Sequence, residues 1–229
     1  MKSRFRLLMS VFLLILPWFL RRLILVKLFG YELHPTARIG FSIVVADRFT
    51  MGESSRIGHF TFVFNLELFE MAKGAVIGRG NWITGYRPRK ATTNYSHCTD
   101  RKSSLILEEG AAIVINHFFD CTDAIRIGKF STLAGYGSQF LTHAIDLEEN
   151  RQDCKPIEIG KYCFIGTDVV ILRGARLPDY CVLGAMSLLN KCYADEYVIY
   201  GGVPAKPLGT VTSEMKYFRR TGPIGVNAN

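Results

Sequence analysis

Histidine is the side chain in this sequence best suited to move a proton near neutral pH, because its ordinary pKa is about 6.5. Among the five histidines, His143 directly follows Thr142, and His117 lies in a segment that also contains Asp120 and Asp123. Either carboxylate could orient His143 and stabilise its protonated form, as a buried aspartate does beside a histidine that acts as a base. The alternative is that both aspartates are surface carboxylates in a bend. The remaining histidines are His34, His59 and His97.

The segments that must position these residues repeat every six residues. Apolar side chains occupy every sixth position from Leu33 to Ala75 and again from Ile159 to Leu189. A period of six fits neither a helix of about 3.6 residues per turn nor a simple strand alternation. It predicts short strands with a bend after each, in which three strands close a triangular coil of about 18 residues around an apolar axis. A shorter middle run comprises Ile115, Cys121, Ile127 and Leu133.

Glycines and cysteines also follow the repeat. Glycine often comes directly after the inward apolar residue, as at Gly58 and Gly160, where we expect a bend with positive φ. Cys163 and Cys181 are predicted to stack on neighbouring coils. Six cysteines without a Cys-x-x-Cys pair, in a chain too long to need disulfides, indicate reduced and mostly buried thiols.

Two interruptions break the repeat, at about residues 84–104 and 140–156. Loops that leave a solenoid are common sites of binding and catalysis, and the second interruption holds His143. Three interpretations of the first interruption remain open: a solvated loop, a contact between subunits, or a contact with the acceptor through His97. Its basic and aromatic residues are Tyr86, Arg87, Arg89, Lys90, Tyr95, Arg101 and Lys102.

Residues 1–30 form a separate hydrophobic segment, in which Pro17 interrupts the apolar run 7–20. The run is shorter than the roughly 20 residues that span a bilayer, and no small-residue cleavage site follows it. We expect a helix or kinked helix that lies in the membrane interface; the alternative is a helix packed on the chain's own domain. The residues predicted to lie at the lipid headgroups are Trp18, Arg21, Arg22 and Lys27.

Hydrophobic content and net charge limit the classes of partner that the chain could bind. A hydrophobic content of 48% excludes disorder of the whole chain. The formal net charge of +8 suits anionic lipid, nucleic acid or a phosphorylated cofactor. Because no nucleic-acid-binding module is visible, we expect no nucleic-acid partner.

The stretch from Ile125 to Lys206 resembles the hexapeptide-repeat acetyltransferases, most closely the sugar O-acetyltransferases of capsule, exopolysaccharide or lipopolysaccharide. The resemblance is carried by Thr142-His143, by the return segment 155–160 and by Gly201-Gly202-Val203-Pro204-Ala205-Lys206. It implies an all-β fold, a left-handed parallel β-helix over residues 31–209, between the N-terminal segment and a tail of residues 210–229. It also implies a homotrimer with active sites between subunits, and acetyl-CoA as donor.

The resemblance places the general base at His143. Catalytic candidates beside it are His117 and Asp120, and candidate acceptor contacts are Asn116, Asp123 and His97. The positions implied for acetyl-CoA are Thr167, Ala185, Asn190, Lys191 and Lys206, with the pantetheine arm along Thr167 and Ala185 and the phosphates near the two lysines. Related γ-class carbonic anhydrases bind zinc through three histidines, but only His117 and His143 lie in suitable coils here, so no metal site is predicted.

The expected function is acetyl transfer from acetyl-CoA to a hydroxyl of a sugar in a lipid-linked, cell-surface glycan or polysaccharide precursor. The expected location is the cytoplasmic side of the cell membrane, as a peripheral or monotopic protein. The alternatives are a non-catalytic trimeric membrane scaffold in glycan biosynthesis and a small-molecule (xenobiotic) acetyltransferase.

Overall fold

Short parallel strands separated by bends wind the chain into a solenoid of three-sided coils. The computed structural model describes residues 2–87 and 94–222, with side chains from Phe5 onward. One face is a separate sheet. A second sheet folds round a corner to form the other two faces, because the long strand Phe62–Met71 pairs with Trp82–Gly85 through its first half and with Ser104–Leu107 through its second. The prediction of a mostly β, parallel solenoid is confirmed.

The strands are grouped by face. The first face comprises β2 (Arg38–Ile39), β4 (Arg56–Ile57), β6 (Val76–Ile77), β9 (Ala112–Ile113), β12 (Thr132–Leu133), β17 (Phe164–Ile165), β20 (Val182–Leu183) and β22 (Val198–Gly201). The second comprises β7 (Trp82–Gly85), β10 (Phe118–Cys121), β13 (Gln139–Leu141), β18 (Val170–Leu172) and β21 (Leu188–Leu189). The third comprises β1 (Glu32–Leu33), β8 (Ser104–Leu107), β11 (Ile125–Ile127), β16 (Ile157–Ile159) and β19 (Arg176–Leu177). The long strands β3 (Ile43–Met51) and β5 (Phe62–Met71) belong to both the second and third faces.

The sixfold pattern places apolar side chains on the axis. Ile165 pairs with Leu183, 18 positions later, which is one coil of three strands. Every position of the two long apolar runs is buried. The middle run is wrong at one position: Ile115 is only half-buried, and Ile113 is the residue that lies on the axis, in register with Leu133.

The predicted role of the glycines is wrong. Gly58, Gly128 and Gly160 do not have positive φ; the left-handed positions come two residues later, at Phe60, Phe130 and other residues. Glycine is required because adjacent coils approach closely. A Cβ on Gly128 would lie 2.5 Å from the carbonyl carbon of Gly160.

Replacement of this close-contact glycine is expected to destabilise the fold. Gly128→Ala should lower the free energy of unfolding by about 1–3 kcal/mol, because the added methyl group must push two coil backbones apart. The matched control is Gly209→Ala, where a Cβ would meet nothing within 4 Å, and a change within about 0.5 kcal/mol is expected there. Chemical denaturation measures both values, and equal stability of the two variants would contradict the close-contact explanation.

Two helices precede the first coil. α1 (Lys2–Leu13) and α2 (Trp18–Lys27) are separated at Pro17, whose ring removes a backbone donor and ends helical hydrogen bonding. Leu25 and Phe29 join the core of the solenoid. One side of this helical segment therefore packs on the chain's own domain. None of the helices in the described residues combines the length and apolarity needed to cross a bilayer.

The predicted contact of Arg21 with lipid headgroups is wrong, and Arg22 also binds the first coil. Arg21 is 5% exposed, and its Nη2 donates to the carbonyls of Ile39 (2.9 Å) and Gly40 (2.6 Å). Arg22 donates to the carbonyl of Leu33 at 2.6 Å. Burial lowers the pKa of Arg21 to about 10, so it remains charged near neutral pH. These arginines satisfy backbone acceptors of the first coil.

Trp18 also packs on the protein. It is half-buried, its Nε1 is buried, and the Arg21 guanidinium lies 5.2 Å from its ring centroid. Its predicted position at headgroup depth stays a prediction. Lys27 is exposed.

The C-terminal segment covers the last coils. β23 (Lys206–Thr210) runs antiparallel to β22, and α3 (Lys216–Arg219) buries Phe218. Tyr217 donates to the carbonyl of Cys163 at 2.8 Å. Cys163 and Cys181 are buried on adjacent coils, as predicted, and all six cysteines are free thiols, four of them buried.

Candidate functional site

A carboxylate and an imidazole pair at the bend between the second and third faces. Asp120 lies near the end of β10, in register with Leu141 of β13. The chain then turns at Thr142 and leaves the coils as a hairpin of β14 (His143–Asp146) and β15 (Arg151–Cys154). Strand β13 includes Phe140, so the second interruption begins about two residues later than predicted. His143 is the first residue of this hairpin and projects beside Asp120.

Asp120 holds the ring of His143 through one nitrogen. Nδ1 of His143 hydrogen-bonds to Oδ2 of Asp120, and Oδ1 of Asp120 accepts from the hydroxyl (2.7 Å) and backbone N–H (3.1 Å) of Thr122. Asp120 is 6% exposed, whereas the His143 side chain is 44% exposed. Nε2 of His143 has no hydrogen-bond partner within residues 2–87 and 94–222. The free nitrogen can therefore take a proton from a bound molecule.

The pairing shifts both pKa values. The hydrogen bond from Asp120 raises the pKa of His143 above its ordinary value, and partial burial opposes this. Burial would raise the pKa of Asp120, but the hydrogen bonds from His143 and Thr122 outweigh it and leave that pKa below its ordinary value. Asp120 is therefore a carboxylate at neutral pH and stabilises the protonated form of His143, as a general base requires.

Thr142 and Asp123 fix the bend that carries this pair. The hydroxyl of Thr142 donates to the carbonyl of Asp120 (2.7 Å) and accepts from the N–H of Asp123 (2.9 Å). The carboxylate of Asp123 accepts from the N–H of Ala124 (2.7 Å) and of Lys102 (3.3 Å). The partner of His143 is thus Asp120, whereas Asp123 joins the first loop to the bend, which does not favour its predicted contact with the acceptor.

Tyr95 of the first loop lies beside His143, a placement that its position in the sequence does not predict. Its ring lies edge-on to His143, with 6.5 Å between centroids, and its hydroxyl donates to the Gln152 side chain in the hairpin. Burial, followed by the charge of Asp120, raises the pKa of Tyr95 to about 12. Tyr95 therefore stays a neutral donor and closes the first loop against the hairpin.

Two basic residues of the first loop bind other parts of the chain. Arg101 donates to the carbonyls of Tyr86 (2.7 Å) and Thr122 (2.6 Å). Arg87 pairs with Asp47 at 3.1 Å. Lys102 is exposed. Arg89 and Lys90 lie outside the described residues.

His117 lies apart from His143. It precedes β10, whereas Asp120 lies three residues further along the strand, or about 10 Å away at about 3.3 Å per residue. The Nδ1 of His117 accepts from the N–H of Ser138 at 3.2 Å. Burial lowers its pKa to about 4, so the ring is neutral. Within one chain, His117 does not join the Asp120–His143 pair.

The contacts of His117 make it one member of a polar ladder along the bend between the first and second faces. In this ladder, each side chain accepts a hydrogen bond from the backbone N–H of the next coil. Its members are Ser42, Thr61, Asn81, His117 and Ser138. Asn116 is exposed at the same bend, with φ of 54°, and lines an open groove of about 470 Å³ with Trp82 and Gln139. The predicted acceptor contact Asn116 is therefore also distant from His143 in one chain.

The residues predicted to hold acetyl-CoA lie in three places. Thr167 and Ala185 occupy the bend between the first and second faces on adjacent coils, where the N–H of Met186 donates to the carbonyl of Thr167 at 2.9 Å. Thr167 and Ala185 are 18 positions apart, which is one coil, so the two residues stack along this bend. Asn190 and Lys191 lie in the bend between the second and third faces, the one that also carries His143, and Lys206 begins β23. All but Thr167 are exposed, and Thr167 is half-buried.

The three remaining histidines have other surroundings. His34 and His59 are exposed on the first coils. Nε2 of His97 lies 3.5 Å from Oδ1 of Asp153 in the hairpin. Its predicted contact with an acceptor stays a prediction.

Similarity to known proteins is found at the level of the fold. No protein-family model and no curated protein matches the sequence. The solved structure of the polysialic acid O-acetyltransferase OatWY aligns with a TM-score of 0.58 at 18% identity, over 82% of this chain and 90% of that one. The chain shares the fold of OatWY.

Two further solved structures align more weakly. A hexapeptide-repeat-containing acetyltransferase from Vibrio cholerae has a TM-score of 0.47 at 18% identity, over 93% of this chain and 94% of that one. The polySia-specific acetyltransferase NeuO has a TM-score of 0.42 at 14% identity, over 81% and 86% of the two chains. With TM-scores below 0.5, neither carries an argument about this chain.

Proposed function

We propose that this protein is an acetyl-CoA-dependent O-acetyltransferase that acts on a sugar hydroxyl of a cell-surface glycan or polysaccharide precursor. The observation that carries the proposal is the Asp120–His143 pair, in which a buried carboxylate holds Nδ1 of a histidine whose side chain is 44% exposed. The fold shared with a polysialic acid O-acetyltransferase supports a sugar as the acceptor. In this proposal the coils wind left-handed, as the family resemblance implies.

His143 and Asp120 supply the proton transfer that the reaction needs. Nε2 of His143 takes the hydroxyl proton of the acceptor as that oxygen bonds to the acetyl carbonyl carbon. The C–S bond of the thioester then breaks, and the same proton passes to the departing thiolate. Asp120 stabilises the imidazolium between the two steps. Acetyl-CoA supplies the activated acyl group when it is bound.

The proposed assembly is a homotrimer whose active sites lie between subunits. In one chain, His143 and Lys191 lie at one bend, whereas Thr167 and Ala185 lie at another, across the width of the second face. A site that uses both sets requires the second bend of a neighbouring copy. The exposed side chains Trp82 and Phe118 on the second face provide apolar surface for such a contact.

Mixed assemblies test this arrangement. His143→Ala removes the base, and Ala185→Trp fills the groove proposed for the pantetheine arm; each variant alone should be inactive. In co-expressed mixtures, sites that combine an intact His143 with an intact Ala185 should return about one quarter of wild-type activity, because each intact half is drawn independently from two equal pools. No recovery in a confirmed mixed trimer would place the whole site in one chain.

The proposed location is the cytoplasmic side of the cell membrane, with the helices on the lipid and a lipid-linked acceptor at the site. One side of the helices packs on the coils, while the other exposes a continuous set of large apolar side chains. Burying these in the lipid interface is favourable in proportion to their apolar area. The exposed set is Phe5, Leu7, Leu8, Val11, Phe12, Ile15, Phe19, Leu20, Leu23 and Leu28.

A matched pair of phenylalanine variants tests the membrane surface. Phe12 is 67% exposed on α1, and Phe60 is 65% exposed on a coil bend. Phe12→Ser should weaken binding to vesicles that contain anionic lipid by roughly tenfold or more, because burial of a phenylalanine contributes about 1.5–3 kcal/mol. Phe60→Ser should leave it unchanged. Vesicle co-sedimentation measures both, and equal effects of the two changes would contradict the proposed surface.

A further inference from the structure

Two neighbouring pairs of potential metal ligands meet beside the candidate active site. His97 and Cys98 lie in the first loop, and Asp153 and Cys154 end the hairpin that begins at His143. The loop reaches this point through a turn in which the N–H of Cys98 donates to the carbonyl of Tyr95 at 2.9 Å. Residues far apart in sequence thus lie together where the first loop contacts the hairpin.

Three donor atoms of this cluster have the spacing of a tetrahedral zinc site. Oδ1 of Asp153 lies 3.5 Å from Nε2 of His97 and 3.6 Å from Sγ of Cys98, and all three atoms are within 4.8 Å of one another. Zinc bonds of about 2.0–2.3 Å to nitrogen, oxygen and sulfur set adjacent ligand atoms about 3.3–3.6 Å apart in a tetrahedron. Two of the three distances between donor atoms therefore already match those around a bound zinc ion.

Arg173 holds the carboxylate in the orientation that such a site needs. Its Nη1 pairs with Oδ2 of Asp153, on the opposite oxygen from His97 and Cys98. Hydrogen-bonded support of a ligating carboxylate is a regular feature of metal sites, because it fixes the direction of the ligand. The side chains of His97 and Asp153 are 27% and 17% exposed, which leaves a path for an ion to enter.

We propose that His97, Cys98 and Asp153 bind one zinc ion, with water in the fourth position. The mixed nitrogen, sulfur and oxygen donors favour zinc over the hard cations magnesium and calcium, which select oxygen ligands. The ion would join the first loop to the hairpin, next to Tyr95 and His143. The site uses neither His117 nor His143, on which the prediction of no metal was based, and it does not depend on the proposed acetyltransferase activity.

Cobalt substitution of the full-length protein tests the site without an activity assay. Cobalt(II) bound at these residues should give the visible bands of a tetrahedral centre and a charge-transfer band from the Cys98 thiolate, and zinc should abolish both at one equivalent per chain. The wild-type spectrum alone can overturn the proposal: absence of the thiolate band means that Cys98 does not ligate.

Variants locate the ion by competition for zinc with a chromophoric chelator. His97→Ala, Cys98→Ser and Asp153→Asn should each weaken zinc binding by at least about 10–100-fold, and Arg173→Met should fall within that range, as loss of outer support does elsewhere. The controls are His59→Ala, which removes an exposed histidine on the first coils, and Cys192→Ser, which removes an exposed thiol that hydrogen-bonds to the carbonyl of Gly174 and not to the cluster. Wild-type affinity in any of the three ligand variants, or an equal loss in the controls, would overturn the proposal.

Discussion

His143→Ala is expected to lower acceptor-dependent thiol release from acetyl-CoA by a hundredfold or more. A general base contributes about 10²–10⁴-fold to the rate, and among the described residues His143 is the imidazole that Asp120 holds. His117 is buried, neutral and already accepts a backbone hydrogen bond. The effect should appear in kcat, since the base acts in the chemical step and contributes little to binding of either substrate.

Controls separate this effect from a loss of structure. His143 is 44% exposed at its side chain, so its removal should leave the melting temperature and the affinity for coenzyme A nearly unchanged. His59→Ala, which removes an exposed histidine on the first coils, should retain full activity. A His143→Ala enzyme with more than about one tenth of wild-type kcat would exclude His143 as the base.

Asp120→Asn is expected to reduce activity and to move its pH dependence. The amide cannot stabilise the imidazolium, and the comparable change in a serine protease triad costs about 10⁴-fold in kcat. Asp120 raises the pKa of His143 in the wild type. Because the base must be deprotonated to act, the rate falls as the pH drops below that raised pKa. Without the carboxylate, the pKa of His143 decreases, so the acid limb of kcat/KM should move to lower pH.

The direction in which the acid limb moves distinguishes an electrostatic role of Asp120 from a structural one. A variant that merely loosened the hairpin would lower the rate at every pH without moving the acid limb. The control is Asp195→Asn, which changes an exposed aspartate of the C-terminal part of the chain. An acid limb that stays in place, or that moves to higher pH, in Asp120→Asn would show that Asp120 does not set the pKa of His143.

The period of six was sufficient to predict the solenoid, because one buried side chain per strand is a strong and local signal. It was not sufficient to identify every axial residue. Ile113 and Ile115 are both isoleucines two positions apart, and only the pairing of β9 with β12 selects Ile113. The glycines could be located but not explained, since the close approach of Gly128 to Gly160 depends on the stacking of coils distant in sequence.

The candidate site also combines features that local sequence predicts with features that depend on contacts between distant segments. The loop that holds His143 was evident from the broken repeat, but the choice of Asp120 over Asp123 depended on which carboxylate reaches the His143 ring, and only the folded bend decides that. His117 could not be recognised as a member of the polar ladder, because its neighbours Asn81 and Ser138 are one coil away rather than adjacent in sequence. The pairing of Asp153 with His97 likewise depends on contact between two loops.

For the two N-terminal helices, the sequence does not show which side packs on the coils. Apolar periodicity cannot distinguish a side that packs on the chain's own coils from a side that meets lipid, and this segment has both an inward side with Leu25 and an outward side with Phe12. Nor could charge identify Arg21 as a donor to the carbonyls of Ile39 and Gly40. Arginine near an apolar run suits lipid headgroups and backbone acceptors equally well.

The most direct test of the central claim is transfer of isotope-labelled acetyl from acetyl-CoA to glycan and lipid-linked saccharide acceptors by the wild-type protein. We expect label in an alkali-labile ester on a sugar hydroxyl, with release of one free thiol per ester formed and loss of both in His143→Ala. A protein that neither binds coenzyme A nor transfers label to any acceptor is not the proposed O-acetyltransferase, and its coils would instead serve as a non-catalytic scaffold.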